Sequence, residues 1–447
     1  MAKLDQHPTV QRVRRRLAEV PLEPRSLDGT LLRQLCLDAG ADDVGFVAID
    51  RSDIAEERSH ILAAFPATRT LISFVCRLSR QAIRSPARSI GNLEFHRNYH
   101  HTNEVSHRIV VALERQGIAA LNPSAGFPME MDHFPGRIWV VSHKPVAVAA
   151  GLGRIGIHRN VIHPSFGSFI SLATILVGAE IAGGDEGAPI DYNPCLECKL
   201  CAATCPVGAI SPDGHFNFSA CYTHNYREFM GGFTTWAETI ADSRSAVALR
   251  RRITDAEQAS MWQSLSFGAN YKAAYCIAVC PAGEEVIAPY LANKRAYVKA
   301  TVAPLQEKVE PVYVVAGSDA EEHVRKRYPH KTPRTTRGGL RPRTIAGFLD
   351  GLPLVFQRGM AKGLDATYHF VFTGAEQIQA TIRIKDRTVA VQRGLEGQAD
   401  ISVTADTHAW FAFVYKERGL LGMLATRKLK IKGPPRLLTA FGRCFPN

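Results

Sequence analysis

One run of twelve residues, from Cys195 to Pro206, constrains this chain more than any other. It has the spacing C-x2-C-x2-C-x3-C-P, with cysteines at Cys195, Cys198, Cys201 and Cys205. Thiolates at these intervals bind three corners of an iron–sulfur cube from one loop, and the cysteine before proline reaches a second cluster. A structural zinc site or a set of buried thiols is less favoured, because zinc usually takes two separated pairs of ligands.

A second and shorter form of the motif follows. Cys276-x3-Cys280-Pro281 repeats the end of the first motif, and Cys221 lies between the two. In two-cluster ferredoxins, the Cys-Pro cysteine of each half ligates the cluster of the other half. We therefore expect two [4Fe–4S] clusters, the first on Cys195, Cys198, Cys201 and Cys280, and the second on Cys205, Cys221 and Cys276.

The second cluster lacks one expected cysteine. A complete half would have a cysteine three residues before Cys276, where this chain has Ala273. Three interpretations stay open: a ligand other than cysteine (His224, Tyr271 or Tyr275), a cluster of three irons, or no second cluster.

Length, charge and cysteine usage indicate the class of protein. At 447 residues the chain is too long for one ordinary domain. Its net charge of +12 favours anionic partners. Cysteines in metal-type spacing favour a reducing compartment over a disulfide framework, and no apolar run approaches the ~20 residues of a membrane span. Arg14-Arg15-Arg16 is not followed by the apolar core of an export signal, so we expect a cytoplasmic protein.

The apolar pattern divides the chain into five parts. Residues 1–24 predict a surface helix, and residues 25–185 alternate helix and strand, which indicates an α/β domain. Its expected elements are helices over 31–39 and 103–116 and strands over 43–49, 70–75, 137–142 and 169–176. Residues 186–300 form the cysteine domain. Residues 301–344 predict a basic, solvated linker, because no acid lies between Glu322 and Asp350. Nucleic-acid binding there is unlikely, since no aromatic platform accompanies the charge.

Residues 345–447 predict a separate α+β module. Four short strands have one apolar face each, at Tyr368–Phe372, 382–384, 389–391 and 401–403. Helices over 407–417 and 419–426 and a final strand at 429–433 complete it.

A longer pattern ahead of the cysteines resembles the epoxyqueuosine reductase and reductive dehalogenase superfamily over about residues 25–290. It comprises Lys144-Pro145-x5-Gly151-Leu-Gly153-x-Ile-Gly156, then Pro164-x2-Gly167-Ser168, and Asn98-Tyr99-His100 at the head of a helix. The resemblance implies a nitroreductase-like α/β domain that binds cobalamin, joined to a bacterial ferredoxin-like domain with two clusters. It would place at the corrin and its tail the residues Lys144, Gly151, Gly153, Gly156, His158, Gly167 and Ser168. Taken alone, the glycines are more typical of ordinary turns and caps.

The chain also departs from that superfamily. Epoxyqueuosine reductases have an acidic proton donor shortly before the proline that matches Pro145, whereas this chain has Ser142 there and no acid between Asp132 and Pro145. The helical repeats that read tRNA are missing as well. We therefore do not expect a role in tRNA modification.

A reduction must add protons as well as electrons, so an acid is required near the redox centre. The densest group of proton carriers lies just before the glycines. Asp132 or His133 is the expected donor, with Arg137 and Lys144 as clamps for an anion, and Tyr99 and His100 as second choices.

The last hundred residues resemble a sterol carrier protein type 2 domain. The resemblance rests on the Tyr368–Phe372 strand, Asp400-Ile-Ser-Val-Thr, Trp410-Phe411 and the strand that ends at Gly433. It implies an apolar tunnel for fatty acyl chains, sterols or other flat hydrophobic molecules. A plain packed core or a dimerisation module is the alternative.

Two functions are consistent with these patterns. The first is a cobalamin-dependent reductase that takes electrons from ferredoxin or flavodoxin and acts on a hydrophobic substrate or lipid. The second is an iron–sulfur electron-transfer protein that reduces a partner, for example a corrinoid protein, without substrate chemistry of its own.

Overall fold

The computed structural model describes residues 4–18, 26–182, 187–195, 197–338 and 341–446. Its buried apolar residues form several cores, two around an N-terminal sheet, two around the cysteines and one in the C-terminal module. Helices and strands are mixed in each part, so the chain is an α+β protein.

The N-terminal part centres on a four-stranded antiparallel sheet of order β2-β3-β7-β4. Its elements are α1 (Pro8–Ala18), β1 (Leu27–Asp28), α2 (Gly29–Ala39), β2 (Asp43–Ala48), α3 (Ala55–Ala64), β3 (Thr70–Arg77), α4 (Arg80–Arg84), α5 (Arg88–Arg115), β4 (Ala120–Leu121), α6 (His143–Ala149), β5 (Arg154–Ile155), β6 (Val161–Ile162), β7 (Ile170–Val177) and β8 (Ile181–Ala182). β1 pairs with β8, and β5 with β6. Prolines 21 and 24, expected to stop the first helix, lie outside the described residues.

Strand β3 is buried from Thr70 to Cys76 because helices cover both faces of the sheet. Ile72 and Phe74 face one core, which contains residues of α2 and α5. Leu71 and Val75 face the other core, to which α3 and α6 contribute. This alternation follows from the two-residue period of a strand. Cys36 and Cys76, which lie outside the two cysteine motifs, are buried in the first core.

Two elements differ from the sequence prediction. The helix expected over 103–116 begins fifteen residues earlier, at Arg88. The strand expected over 137–142 is an irregular loop. There the carboxylate of Glu57, from α3, pairs with Arg137 and accepts a hydrogen bond from the backbone N–H of Ser142 (3.1 Å). The carboxylate of Glu57 thus accepts hydrogen bonds that the loop would otherwise donate to a neighbouring strand.

The cysteine-bearing part is mostly helical and packs against the N-terminal part. Its elements are α7 (Leu200–Thr204), α8 (Phe218–His224), α9 (Gly231–Ala241), α10 (Ala246–Arg252), α11 (Asp255–Phe267), α12 (Tyr275–Ala278), α13 (Glu284–Ala292), α14 (Lys294–Tyr297) and α15 (Ala303–Glu307). One core joins Ile83 and Phe169 of the N-terminal part to Cys201, Tyr275 and Val279.

Residues 301–344, expected to be a basic linker, instead contain a folded unit. Two parallel strands, β9 (Pro311–Val315) and β10 (Thr332–Thr336), flank α16 (Asp319–Arg327). Val312 and Val314 pack in one core with Cys205. Lys331, expected to be solvated, is 2% exposed, and its ammonium donates to Glu310 (2.9 Å). The unit belongs to the packing around the cysteines.

The C-terminal module is a five-stranded sheet of order β13-β12-β11-β14-β15, in which only β11 and β14 are parallel. Its elements are α17 (Ile345–Val355), β11 (Ala366–Thr373), β12 (Gln379–Lys385), β13 (Thr388–Arg393), β14 (Ile401–Asp406), α18 (Thr407–Val414), α19 (Leu420–Ala425), β15 (Leu429–Lys432) and α20 (Pro435–Cys444). The predicted strands are present, whereas α17 and α20 were not predicted. Phe370, Phe372 and Trp410 form its aromatic core, which also buries the lone Cys444.

Among the helices that the structure describes, none combines the length and the apolar character needed to cross a membrane.

Candidate metal centre

Four of the seven motif cysteines line a single cavity. They are Cys195, Cys198 and Cys201 from the first motif and Cys280 from the second. Apolar residues of both loops and of the 157–162 segment close the remaining walls. Burial raises the pKa of the Cys201 thiol, and charge on Cys276, Cys280, Cys198 and Cys195 raises it further, so sulfurs of both motifs lie near Cys201. The four cysteines that line the cavity are the set that the sequence assigned to the first cluster.

Glycines bring the N-terminal part close to these thiols. Gly156 lies against Cys195, and a β-carbon at position 156 would be 3.1 Å from the Cys195 sulfur. Gly167 has φ +64°, and a β-carbon there would overlap the carbonyl oxygen of Ala282, two residues after Cys280. Only a residue without a side chain permits this crossing of two backbones.

Hydrogen bonds reach the sulfurs of both motifs. The backbone N–H of Ile157 donates to the sulfur of Cys195 (3.1 Å), and that of Ala209 donates to the sulfur of Cys205 (3.3 Å). Such bonds stabilise negative charge on sulfur, and they are among the factors that set the potential of an iron–sulfur cluster.

A chain of hydrogen bonds through the side chains of His158 and Ser168 ends at Cys280. His158 Nδ1 accepts the N–H of Asn160 (3.1 Å), so Nε2 carries the proton and donates to the hydroxyl of Ser168 (3.1 Å). Burial raises the pKa of Cys280 to about 11, and the hydrogen bond from Ser168 opposes that rise. Burial lowers the pKa of His158 to about 4, so its ring is neutral. His158 and Ser168, which the resemblance placed at a corrin, thus lie beside the Cys280 thiol.

The other three motif cysteines form a second group. Burial raises the pKa of Cys221 well above its ordinary value, and the nearby Cys205 and Cys276 raise it further. Burial also raises the pKa of Cys276 to about 12, with Cys205 as the next cause. These thiols are close enough to repel one another as thiolates. This is the set that the sequence assigned to the second cluster.

Lys144 lies beside this second group. Its ammonium donates to the carbonyl of Arg159 (2.6 Å) and to the side-chain oxygen of Asn160 (3.1 Å). Burial lowers the pKa of Lys144, and the nearby Cys276 and Cys221 oppose that shift. Its charge is therefore available to neutralise thiolates. The ammonium, which was expected to bind an anion, donates hydrogen bonds to two protein oxygens.

Two of the three candidates for the missing ligand have other partners. The hydroxyl of Tyr275 donates to the carboxylate of Glu310 (2.7 Å). His224 Nδ1 accepts the backbone N–H of Tyr313 (3.3 Å), and its Nε2 is buried without a hydrogen-bond partner among the described residues. The charges that act most strongly on this ring are those of Glu310, Lys272, Lys331 and Arg227 rather than those of the cysteines. The third candidate, Tyr271, lies next to Cys221, whose charge adds to the effect of burial in raising the pKa of its phenol to about 12.

A row of aromatic side chains leads away from the second thiol group. It runs from Tyr226 to Tyr271 (ring centroids 5.6 Å apart), then to Phe229 (4.4 Å), Phe127 (4.9 Å) and Tyr99 (6.2 Å). Burial and the nearby Cys221 both raise the pKa of Tyr226, which places the start of this aromatic row at the thiols. The row joins the cysteine-bearing part to the loop that precedes α6.

The expected proton donors do not form one cluster. Tyr99 anchors the loop by donating to the carbonyl of Phe127 and accepting its N–H (3.1 Å). His100 is exposed on α5, and Asp132 and His133 are exposed on a short 3-10 turn. Arg137, expected to clamp an anion, pairs with Glu57. Glu57 is 6% exposed and was missed, because it lies on α3, far from the motif in sequence.

The remaining glycines also contact protein. A β-carbon on Gly151 (φ +77°) would lie 2.7 Å from the carbonyl oxygen of Ala188, and one on Gly153 (φ +150°) would overlap that of Ile162. The resemblance placed these glycines along a corrin, where their bare backbone would face the cofactor. Here polypeptide fills the side of each glycine that a β-carbon would occupy, and their place at a corrin stays a prediction. Within the described residues, no three His, Cys, Asp or Glu side chains converge on a site for a single metal ion.

Comparisons with known proteins agree with the two resemblances. The epoxyqueuosine reductase of Lactococcus garvieae is 32% identical over 79 residues, which are 18% of this chain and 21% of that protein. The tetrachloroethene reductive dehalogenase of Dehalobacter restrictus is 27% identical over 143 residues, 32% of this chain and 24% of that protein. A model of the SCP-2 sterol transfer family matches residues 356–446.

The chain thus resembles the epoxyqueuosine reductases and reductive dehalogenases and ends in an SCP-2 domain. The matched segments span a quarter or less of the two relatives. The solved structure of the epoxyqueuosine reductase from Streptococcus thermophilus covers 62% of this chain and 88% of its own, at 14% identity and a TM-score of 0.35. That TM-score is too low to establish a shared fold.

Proposed function

We propose that this protein is an iron–sulfur oxidoreductase that acts on a hydrophobic substrate. The observation that carries the proposal is the assembly of seven motif cysteines into two groups, one of which lines a cavity. Iron–sulfur clusters held there would supply single electrons at low potential. The relatives that match this chain are reductases by name, which supports the same class of reaction.

The residues around the thiols have distinct roles in this proposal. The cysteines hold the clusters, while Ile157, Ala209 and Ser168 donate hydrogen bonds that stabilise negative sulfur. Lys144 adds a positive charge beside the second group. The aromatic row excludes water between the thiols and the loop before α6. Asp132 and His133, exposed on that loop, are the proton carriers that we propose for the reduction.

The SCP-2 domain supports a hydrophobic substrate or lipid. Trp410 is 1% exposed, and its indole N–H has no hydrogen-bond acceptor among the residues that the structure describes. A buried donor normally has a partner. The hydroxyl or carboxyl group of a bound lipid would supply one, so we propose that the domain presents such molecules to the redox centre.

Cobalamin is the cofactor that the superfamily resemblance implies. In this proposal the N-terminal part is nitroreductase-like and the cysteine-bearing part ferredoxin-like, and the electron donor is a ferredoxin or flavodoxin. The compartment is the cytoplasm, where thiols stay reduced. Because Gly151, Gly153, Gly156 and Gly167 pack against protein, we derive no step through a corrin.

The same packing favours a second candidate, an electron-transfer protein that reduces a partner. The two are distinguished by anaerobic reconstitution with iron, sulfide and hydroxocobalamin, followed by gel filtration and an absorption spectrum. A corrin band that co-elutes with iron–sulfur absorbance supports the cobalamin-dependent reductase. Iron–sulfur absorbance alone supports the relay, and the absence of both contradicts the proposal.

A further inference from the structure

The two cysteine motifs fold into loops with the same local conformation. Cys198-x2-Cys201-x3-Cys205-Pro206 and Ala273-x2-Cys276-x3-Cys280-Pro281 have the same spacing. Lys199 has φ +49° and Ala274 has φ +55°, and each is followed at once by a short helix, α7 or α12. A left-handed residue other than glycine costs about 1–2 kcal/mol. The left-handed residue follows Cys198 in the first loop and Ala273 in the second. Ala273 is therefore the structural counterpart of Cys198.

Ala273 is held firmly in that position. It is 4% exposed and lies in one core with Cys201 and Cys276. The side-chain oxygen of Asn225 accepts the backbone N–H groups of both Ala273 (3.0 Å) and Ala274 (2.8 Å). The loop therefore keeps the shape of a ligand loop, but it has a methyl group where the first loop has a thiol.

Of the three residues that could replace the missing thiolate as a ligand, only Tyr271 is in a position to do so. Tyr275 is bonded to Glu310, and the charges that act most strongly on His224 are those of Glu310, Lys272, Lys331 and Arg227 rather than those of the cysteines. Tyr271 packs its ring edge-on against Phe95 (4.7 Å) and tilted against Phe229 (4.4 Å), which assigns it to the aromatic row. Tyr226 is the other phenol next to these thiols.

We propose that the second cluster is bound by three cysteines only, Cys205, Cys221 and Cys276, and that its fourth iron, opposite Ala273, carries an exchangeable oxygen ligand from solvent or substrate. This rests on the proposed function, since it requires that the clusters form. Catalytic zinc sites keep one position free of protein ligands, whereas structural zinc sites do not, and we apply the same reasoning to the iron that no cysteine would hold. The second cluster would then be a binding site as well as a relay.

The test uses the full-length protein, reconstituted anaerobically and then oxidised briefly, with electron paramagnetic resonance as the readout. Wild type should lose the iron that no cysteine holds and give the signal of an oxidised three-iron cluster. Ala273→Cys restores a fourth thiolate and should suppress that signal. Ala273→Ser, which adds an atom of similar size but a much weaker ligand, should behave as wild type.

A second measurement does not depend on the folding of any variant. In isotopically labelled water, the reduced second cluster of wild type should show magnetic coupling to the solvent oxygen. Tyr226→Phe and Tyr271→Phe should each leave that coupling and the three-iron signal unchanged.

Three results would overturn the inference while leaving the proposed function intact. They are acid-labile sulfide without any three-iron signal in wild type, equal signals in wild type and Ala273→Cys, and a cluster that becomes labile only when one tyrosine is removed. The absence of acid-labile sulfide from wild type would overturn the proposed function as well.

Discussion

Replacing Gly167 by alanine tests whether this glycine joins the N-terminal part to the loop that carries Cys280. With φ +64°, a residue with a β-carbon costs about 1–2 kcal/mol in the left-handed region. The new β-carbon would also overlap the carbonyl oxygen of Ala282, and overpacking of this kind typically costs about 1–3 kcal/mol. We therefore expect Gly167→Ala to reduce the free energy of unfolding by about 2–5 kcal/mol.

Gly214 offers a matched control in the same part of the chain. Its φ is +86°, but a β-carbon there would meet only the side chain of Ile157 at 3.9 Å, an ordinary contact. Gly214→Ala should cost only the backbone penalty of about 1–2 kcal/mol. Because backbone must move to relieve the clash at Ala282, the Cys280 loop should shift in Gly167→Ala alone.

Two assays separate the variants. Urea denaturation followed by tryptophan fluorescence gives the loss of stability, and acid-labile sulfide after reconstitution reports the first cluster. We expect Gly167→Ala to show the larger loss of stability and less sulfide than Gly214→Ala. Equal stability and equal sulfide in the two variants would refute the close crossing of backbones.

Three further predictions concern the cluster environment, a buried ion pair and the C-terminal domain. Ser168→Ala should lower the midpoint potential of the first cluster without loss of sulfide, because the hydrogen bond to Cys280 stabilises the reduced state; an unchanged potential in a redox titration would contradict this. Burial raises the pKa of Glu310, but Lys308 and Lys331 lower it more, so its pKa lies below the ordinary value. The ionised Glu310 therefore stabilises the folded protein above about pH 4.5, and this contribution is lost as the pH falls further. Glu310→Gln should cost about 3–5 kcal/mol at pH 7 and flatten that acid dependence in urea titrations. A long-chain fatty acid at a hundred times its dissociation constant should stabilise the SCP-2 domain by about 2.7 kcal/mol in thermal melts, and less in Trp410→Phe; an equal shift in the variant would exclude a role for the indole.

The division of cysteines between the two groups could be predicted because it depends on local spacing. Four thiols in one short loop admit few arrangements, and the repeated Cys-Pro indicated that Cys280 joins Cys195. The positions of the C-terminal strands could also be predicted, since alternation at Tyr368, Phe370 and Phe372 is a strong signal.

Contacts between distant segments could not be predicted. Nothing near Arg137 in the sequence indicates that Glu57 binds it, so the apolar 137–142 segment was predicted to be a strand. The prediction that residues 301–344 form a linker was wrong because it gave more weight to the basic charge of this segment than to its apolar pattern. The apolar run at Val312 and Val314 forms β9, and the basic residues of α16 pair with Glu321 and Glu322 one turn earlier.

The glycines show the same limit at the candidate site. Sequence identifies a position that tolerates no side chain, but it does not say what approaches that position. At Gly156 the neighbours are the side chain of Ile162 and the sulfur of Cys195, and at Gly167 the neighbour is the carbonyl of Ala282. Either a flat cofactor or another segment of the chain can approach such a glycine. Only the three-dimensional structure distinguishes the two.

The central claim is that Cys195 and Cys280, from separate loops, hold one iron–sulfur cluster. Its most direct test is to measure iron and acid-labile sulfide in anaerobically reconstituted wild type, Cys195→Ala, Cys280→Ala, the double variant that combines these two changes, and the control Cys444→Ala. We predict that the first two variants lose the same share of sulfide, that the double variant loses no more than either, and that Cys444→Ala matches wild type. Sulfide-free wild type, or additive losses in the double variant, would contradict the claim.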